Sequence, residues 1–369
     1  MNYVDSAVNH FRALLEEQLA RTERMEKATP AKDFTALPVV TVGIIDGDGI
    51  GPIISGQTTR VLEALLKDEI AAGSVVLKPI EGLTIENRLA RGEAVPKEIL
   101  AEVKKCDVLL KGPTETPKGG TAESANVTLR RELDLYANVR PVSVPELNID
   151  WIFFRENTEG EYALGGKGFE IPGKLCVDFK VTTLPGTKRI ARAAFEYAKA
   201  NGKTKVAIVT KANVLKKTDG SFSEICHEVA KDYPGIEAED WYADIVTAKL
   251  VDPNARTRFQ VFVLPNLYGD IITDEAAQIQ GGVGTAGSAN LGDRFAMFEA
   301  IHGSAPRMIE TGRGDYANPS SLLRAAAILL RHIGRAEKAE ALERALNTVP
   351  HGGDTARGFT DRLIAALEG

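Results

Sequence analysis

A chain of 369 residues, 44% hydrophobic and 26% charged, carries enough apolar material for real cores and makes two domains the natural expectation. Its formal net charge of −6 gives no global attraction to nucleic acid or to an anionic membrane surface, so an anionic ligand has to be met by locally concentrated arginines. No apolar run is long enough to span a bilayer, and Cys106, Cys176 and Cys226, far apart and in no metal-ligand spacing, read as reduced thiols, buried or inert.

In chain order, Val8, Phe11, Leu14, Leu15 and Leu19 recur at helical spacing among Glu and Arg. They predict one amphipathic helix within residues 1–36, ending before the polar ATPAKD, which either packs on its own domain or contacts a partner subunit. This region lacks the apolar segment of a secretory signal, and Glu16 and Glu17 argue against a transit peptide, so the expected compartment is the cytoplasm. From Pro38, VVTVGIID reads as a strand, followed by a helix from Pro52 to Ile70, a strand at VVLKPIE, a helix at PKEILAEVKKC and a strand at DVLLKGP. This rhythm predicts an α/β fold with a parallel sheet covered by helices. Further strands are expected at VRPVSV, DWIFFRE, TKVAIVTK and VFVLP, and helices at RIARAAFEYAKANG and SFSEICHEVAKDY. A strong helix is expected over 319–335, with Asn318 as its N-cap, Pro319 in its first turn and Gly334 as its stop.

Two stretches point to chemistry. Read as a helix, LPNLYGDIITDEAAQIQ places Asp270 and Asp274 at i and i+4, stacked on one face. Adjacent carboxylates repel, and a hard divalent cation such as Mg²⁺ or Mn²⁺ supplies the compensating charge; a solvated acidic face is the alternative. The turn DGDGIGP, residues 46–52, follows a strand and precedes a helix, which suits a backbone approaching a ligand. Its glycines, at 47, 49 and 51, fit neither the dinucleotide fingerprint nor a phosphate-binding P-loop.

DGDGIGP, SANVTLRRELDLYANVRPV, FRENTEGEY, VTKANVLKKTDGSF with NLYGDIITDEAAQ, and FEAIHGSAP with a following NP occur in that order. Together they resemble the decarboxylating β-hydroxyacid dehydrogenases, which include isocitrate, isopropylmalate, homoisocitrate and tartrate dehydrogenases. The resemblance runs over about residues 38–365 and implies a large discontinuous α/β domain, 37–137 with 282–369, and a smaller inserted domain, 138–281, whose segment 163–183 clasps a second subunit. By the same resemblance Arg130, Arg140 and Arg155 hold substrate carboxylates, for which a guanidinium fork is suited where lysine is only a point charge. Arg131, beside Arg130, reads as a surface charge. Ser124 and Asn126 can donate hydrogen bonds to a third carboxylate, which favours isocitrate over the apolar side chain of isopropylmalate; the bland reading of Ser124 is a helix N-cap. Homoisocitrate, one methylene longer, is the nearer alternative.

The resemblance makes Tyr162 and Lys211 the proton carriers and adds Asp244 to Asp270 and Asp274 as metal ligands. It also implies that Lys211 and Asp244 of one chain complete the site of another, in a homodimer with shared active sites. Asn213, His302, Gly303, Ser304, Ala305 and Asn318 match residues around the nicotinamide cofactor. After Pro306, where an acidic residue accompanies NAD and Lys-Tyr accompanies NADP, this chain has Arg307-Met308. NAD is favoured slightly, with NADP as the alternative. The expected activity is metal-dependent oxidation and decarboxylation of a tricarboxylic acid, isocitrate first. The rival from another class is a regulatory subunit of a heteromeric dehydrogenase, against which the full set of arginines, Tyr162, Lys211 and three aspartates argues.

Overall fold

The computed structural model describes residues 3–27, 30–116, 123–282, 284 and 286–368; Ala28 and Thr29 of the ATPAKD stretch lie outside them. The strands are β1 (Val40–Ile45), β2 (Val75–Pro79), β3 (Val108–Lys111), β4 (Ala137–Val144), β5 (Ile149–Glu156) and β6 (Phe169–Ile171). They continue with β7 (Leu175–Val177), β8 (Lys205–Thr210), β9 (Glu237–Tyr242), β10 (Val261–Leu264), β11 (Gly287–Leu291) and β12 (Ala296–Ala300). β3, β10 and β12 are buried at every position, as strands covered on both faces must be, so they do not alternate: β10 is wholly apolar, and β3 and β12 carry one charge each, Lys111 and Glu299.

The chain divides into two compact units. One comprises residues 31–135, 139–141 and 277–369. Its strands lie in the order β2-β1-β3-β12-β11. β1 is parallel to β2 and β3, β3 is parallel to β12, and β11 and β12 pair antiparallel. Ile45, Leu109 and Met297 from three neighbouring strands pack with Ile99, Val103 and Leu129 in one core. The expected helix at 52–70 is two helices, Gly51–Leu65 and Lys67–Ala71, because the buried Leu66 leaves helical geometry (φ −101°, ψ 18°). The helix expected over 319–335 runs Ser320–His332 and packs on β11 and β12. Its N-cap position is Pro319, and the Asn318 side chain accepts from the Ser320 amide at 2.9 Å, one residue earlier than a standard cap. Gly334, at φ +76°, ends it.

The other unit comprises residues 1–30, 136–138 and 142–276, so β4 is divided between the two. Its strands lie in the order β5-β10-β8-β9, all parallel, over a core in which Phe153 and Phe262 stack at 4.3 Å with Trp151 edge-on. β6 and β7 form a separate antiparallel pair within the segment read as a clasp, followed by a bridge between Gly160 and Val181. The N-terminal helix spans Tyr3–Glu26. Its apolar stripe is less covered than the periodicity predicts: only Leu14 is buried, while Val8, Phe11, Leu15 and Leu19 are exposed, Phe11 stacking on Phe179.

Cys106 and Cys226 are buried, and burial pushes both thiols up, which makes them inert at neutral pH. Cys176 differs from expectation: it is exposed, because it sits on the three-residue β7, whose residues are all exposed. Among the described residues no helix is long and apolar enough to cross a membrane.

Candidate active site

In the unit that includes 142–276, Arg155 is the penultimate residue of β5, with 1% of its surface exposed. The parallel register pairs it with Leu264 of β10, so the helix Asn266–Ile279 begins beside it. Asn266 Oδ1 accepts from Arg155 Nε at 3.0 Å and from Nη2 at 2.7 Å. Arg155 Nη1 pairs with one oxygen of Asp270, and the Tyr162 hydroxyl donates to the other at 2.9 Å. The guanidinium also lies 5.4 Å from the centroid of the Tyr162 ring, a cation–π distance. Three residues from two separate blocks of sequence thus form one cluster, with Asp270 bridging Arg155 and Tyr162. Gly269 makes it possible, since a Cβ there would stand 2.5 Å from Arg155 Cγ. Asp274, one helical turn after Asp270, is exposed.

Lys211 follows β8, at the carboxyl end of the parallel strands where α/β sites form. Its amide donates to Asp219 at 2.7 Å, and its Nζ donates to Asp244 Oδ1 at 2.5 Å. That bond to Lys211 holds the Asp244 carboxyl below the usual carboxylate range. Asp244 lies in the first turn of the helix Ala243–Leu250, and Asn213 lies exposed in the turn after Lys211.

In the other unit, Ser124, Asn126 and Arg130 sit on or beside the helix Ala125–Glu132. Ser124 occupies the N-cap position, but its hydroxyl makes no capping bond. Asn126 Oδ1 accepts from the Thr114 hydroxyl at 3.0 Å. Arg131 pairs with Glu123 on the surface, as its place on the helix predicts. Arg130 Nη2 donates to Glu299 at 2.9 Å, and Glu299 also accepts from Asn290 at 2.8 Å and pairs with the buried Lys111 at 3.5 Å. Burial pushes the Glu299 carboxyl up, but Lys111 and Arg130 outweigh it and hold the carboxyl near about 2. Arg140, on β4, is buried, with 7% of its surface exposed.

The glycine turn and the 302–307 loop meet in the same unit. Ile50 N donates to Ser304 O at 2.9 Å, and a Cβ on Gly49 would lie 2.1 Å from that carbonyl oxygen. Asp48 is buried beneath the turn, accepting from Ile85 N and Glu115 N, each at 2.7 Å. A cavity of about 430 Å³ opens here, lined by Gly47–Gly49, Pro52, Thr84–Glu86, Glu115, Pro306, Ile309 and Glu310. Ser304 is buried and Ala305 takes φ +45°; His302 Nδ1 donates to Gly303 O at 2.9 Å. Arg307 is exposed on the short helix Pro306–Glu310, and Asn318 is part-buried at the start of the next.

Asp244, Asp270 and Asp274 offer only oxygen donors, and the side chains of Asp244 and Asp270 are 63% and 41% exposed, which suits a hard divalent cation. Among the described residues of one chain, no three His, Cys, Asp or Glu side chains come together in a metal-holding group. The cavity can take the ribose part of a dinucleotide: Glu86, Glu115 and Glu310 can accept from ribose hydroxyls, and among the described residues no Lys or Arg lines it. Sequence reading missed Asn266, Glu299, Lys111 and Asp48. Lys111 left one trace, a charge closing the apolar run VLL.

The isocitrate/isopropylmalate dehydrogenase family matches residues 41–359. A mitochondrial regulatory subunit of an NAD isocitrate dehydrogenase from Dictyostelium discoideum is 40% identical over 344 residues, 88% of this chain and 91% of that protein. An NADP isocitrate dehydrogenase of Rickettsia bellii is 40% identical over 313 residues, 82% of this chain and 62% of the longer relative. The crystal structure of an isocitrate dehydrogenase from Methylococcus capsulatus aligns with a TM-score of 0.79 at 33% identity, covering 90% of this chain and 100% of that one.

Proposed function

The chain belongs to the isocitrate/isopropylmalate dehydrogenase family, and from that premise we propose that it oxidises isocitrate and releases CO₂, giving 2-oxoglutarate, with NAD⁺ as hydride acceptor and Mg²⁺ or Mn²⁺ as metal. The carrying observation is the Asp270 carboxylate, shared between a buried substrate-binding arginine and the hydroxyl of Tyr162. Similar isocitrate dehydrogenases are of both NAD and NADP kinds.

When bound, the cation held by Asp244, Asp270 and Asp274 supplies Lewis acidity and the nicotinamide supplies the hydride acceptor. Arg130, Arg140 and Arg155 bind substrate carboxylates through paired N–H donors. Arg155 is pre-set for this by Asn266, and Arg130 by Glu299, so little side-chain freedom remains to be lost on binding. Ser124, with a hydroxyl that caps nothing, and Asn126 donate to the third carboxylate, which selects isocitrate. Lys211 Nζ, in its neutral form, takes the proton of the 2-hydroxyl as hydride leaves C2. Tyr162 Oη then protonates the carbon from which CO₂ departs.

Among the described residues the charged groups lining the 430 Å³ cavity are all acidic, which supports NAD⁺ over NADP⁺, whose 2′-phosphate they would repel. A second reading, a regulatory subunit, is favoured by the names of some relatives, the Dictyostelium protein among them. Following nicotinamide absorbance with the purified chain, isocitrate and Mg²⁺, under NAD⁺ and NADP⁺ and against homoisocitrate and isopropylmalate, tests all of this. No reduction of either nicotinamide by the chain alone would reverse the order of the two readings.

A further inference from the structure

Between Arg155 and Tyr162 lie two buried carboxylates, Glu156 at the end of β5 and Glu159 in the loop after it, with 1% and 3% of their surfaces exposed. Glu156 folds back on the loop, accepting from Thr158 N at 3.0 Å, Thr158 Oγ1 at 2.7 Å and Glu159 N at 2.5 Å. Glu159 accepts from Thr183 N at 2.9 Å and Thr183 Oγ1 at 2.5 Å, which ties the loop to the start of the helix Leu184–Ala200. Two buried like charges this close need cations. Burial first, then the charge of Glu159, pushes Glu156 up to about 7.

Two arginines answer, from two helices. Arg189, on Leu184–Ala200, donates to Thr158 Oγ1 at 3.1 Å and stacks over Tyr136 at 4.4 Å. The other is Arg21, on the N-terminal helix: Nη1 donates to Glu159 Oε1 at 3.0 Å and Nη2 to Thr158 Oγ1 at 3.2 Å. The Thr158 hydroxyl therefore gives its one proton to Glu156 and accepts from both guanidinium groups, which uses its full hydrogen-bonding capacity.

We propose that Arg21 is a positioning residue: the N-terminal helix reaches over and clamps the Glu156–Glu159 loop, and so fixes Tyr162 for proton transfer. The inference rests on the role given to Tyr162 above. Arg155 has its own anchor in β5 and Asn266, whereas the Tyr162 backbone continues from the clamped loop. Losing Arg21 should therefore act on turnover and spare substrate binding. His10 Nε2, donating to Lys167 O at 2.8 Å, and Glu17, paired with Lys167, hold the same helix against the chain beyond Tyr162 and leave it in place when Arg21 is changed.

The test compares full-length wild type with Arg21→Ala and Arg21→Lys, by steady-state kinetics and by hydrogen–deuterium exchange over residues 156–164. Arg21→Ala should lower kcat about tenfold with KM for isocitrate held within about twofold, since a small misplacement of a proton donor costs rate rather than affinity. Arg21→Lys, which restores the charge without the fork, should recover kcat to within about threefold of wild type. Exchange at 156–164 should rise in the alanine variant and fall back in the lysine variant. An unchanged kcat and exchange pattern in Arg21→Ala overturns the proposal, as does a lysine variant no better than alanine. A lowered melting temperature with unaltered kcat per folded chain also overturns it, reducing Arg21 to a structural contact. If wild type turns over no isocitrate, the functional reading fails, and the exchange data still decide whether Arg21 clamps the loop.

Discussion

Tyr162 Oη donates to Asp270 Oδ2 at 2.9 Å, while Arg155 pairs with the other oxygen of that carboxylate. Removing the hydroxyl leaves Asp270 anchored by Arg155, so Tyr162→Phe isolates the proton from the architecture. We expect kcat to fall about 10²–10³-fold, in the range assigned to a lost general acid, with KM for isocitrate little changed. Rapid mixing should still show nicotinamide reduction in the first turnover, because the lost proton is needed after hydride transfer. Full steady-state activity in this variant would take Tyr162 out of the chemistry.

Gly269→Ala probes the other side of the cluster. Its added carbon would meet Arg155 Cγ, Cβ and Cδ at 2.5, 2.7 and 3.0 Å, all on a side chain pinned by Asn266. The arginine has to move, at an over-packing cost of about 1–3 kcal/mol. KM for isocitrate should rise by at least about tenfold if the guanidinium loses its aim. Denaturant titration gives the first number and substrate titration the second; an unaltered KM would show that Arg155 does not set affinity.

These contacts explain what was readable in advance. Strands β1, β3, β5, β8 and β10 were legible because buried parallel strands are written as short apolar runs, and Asp270 and Asp274 because helical spacing puts them on one face. The supports of the site were not. Asn266 lies 111 residues from Arg155, and Glu299 lies 169 from Arg130, so no local pattern joins them. Asp48 was seen only as part of a glycine turn, although its side chain accepts two distant backbone amides, Ile85 at a helix start and Glu115 in a loop. The N-terminal helix was legible as a helix, but its apolar stripe overstated how much of it one chain buries.

His332 gives the stability a pH dependence. Its ring packs 4.5 Å from Phe34 and 5.4 Å from Phe298, and burial pushes it down to about 4 from 6.5. A depressed folded-state value means the unfolded chain binds the proton more readily. The stabilisation is therefore complete above pH 6.5 and is lost as pH falls from 6.5 towards 4, by up to about 3 kcal/mol. His332→Leu should flatten the stability profile over that window, measured by urea unfolding at stepped pH. An identical slope in both proteins would place the titration elsewhere.

The shared-site reading makes a prediction that no single-chain mechanism makes. Asp244 is held by Lys211, and Asp270 by Arg155 and Tyr162, as two separate clusters within one compact unit. If Asp244 of one protomer binds the metal together with Asp270 and Asp274 of its partner, Asp244→Asn and Asp270→Asn homodimers should each lose nearly all Mg²⁺-dependent turnover. Mixed by refolding or co-expression, half the dimers are hybrids, and each hybrid has one site free of substitutions. Activity should return to about a quarter of wild type. The same preparations should lose that activity to a chelator and regain it with Mg²⁺ or Mn²⁺. Mixtures as inactive as the parents would require all three aspartates to act within one chain.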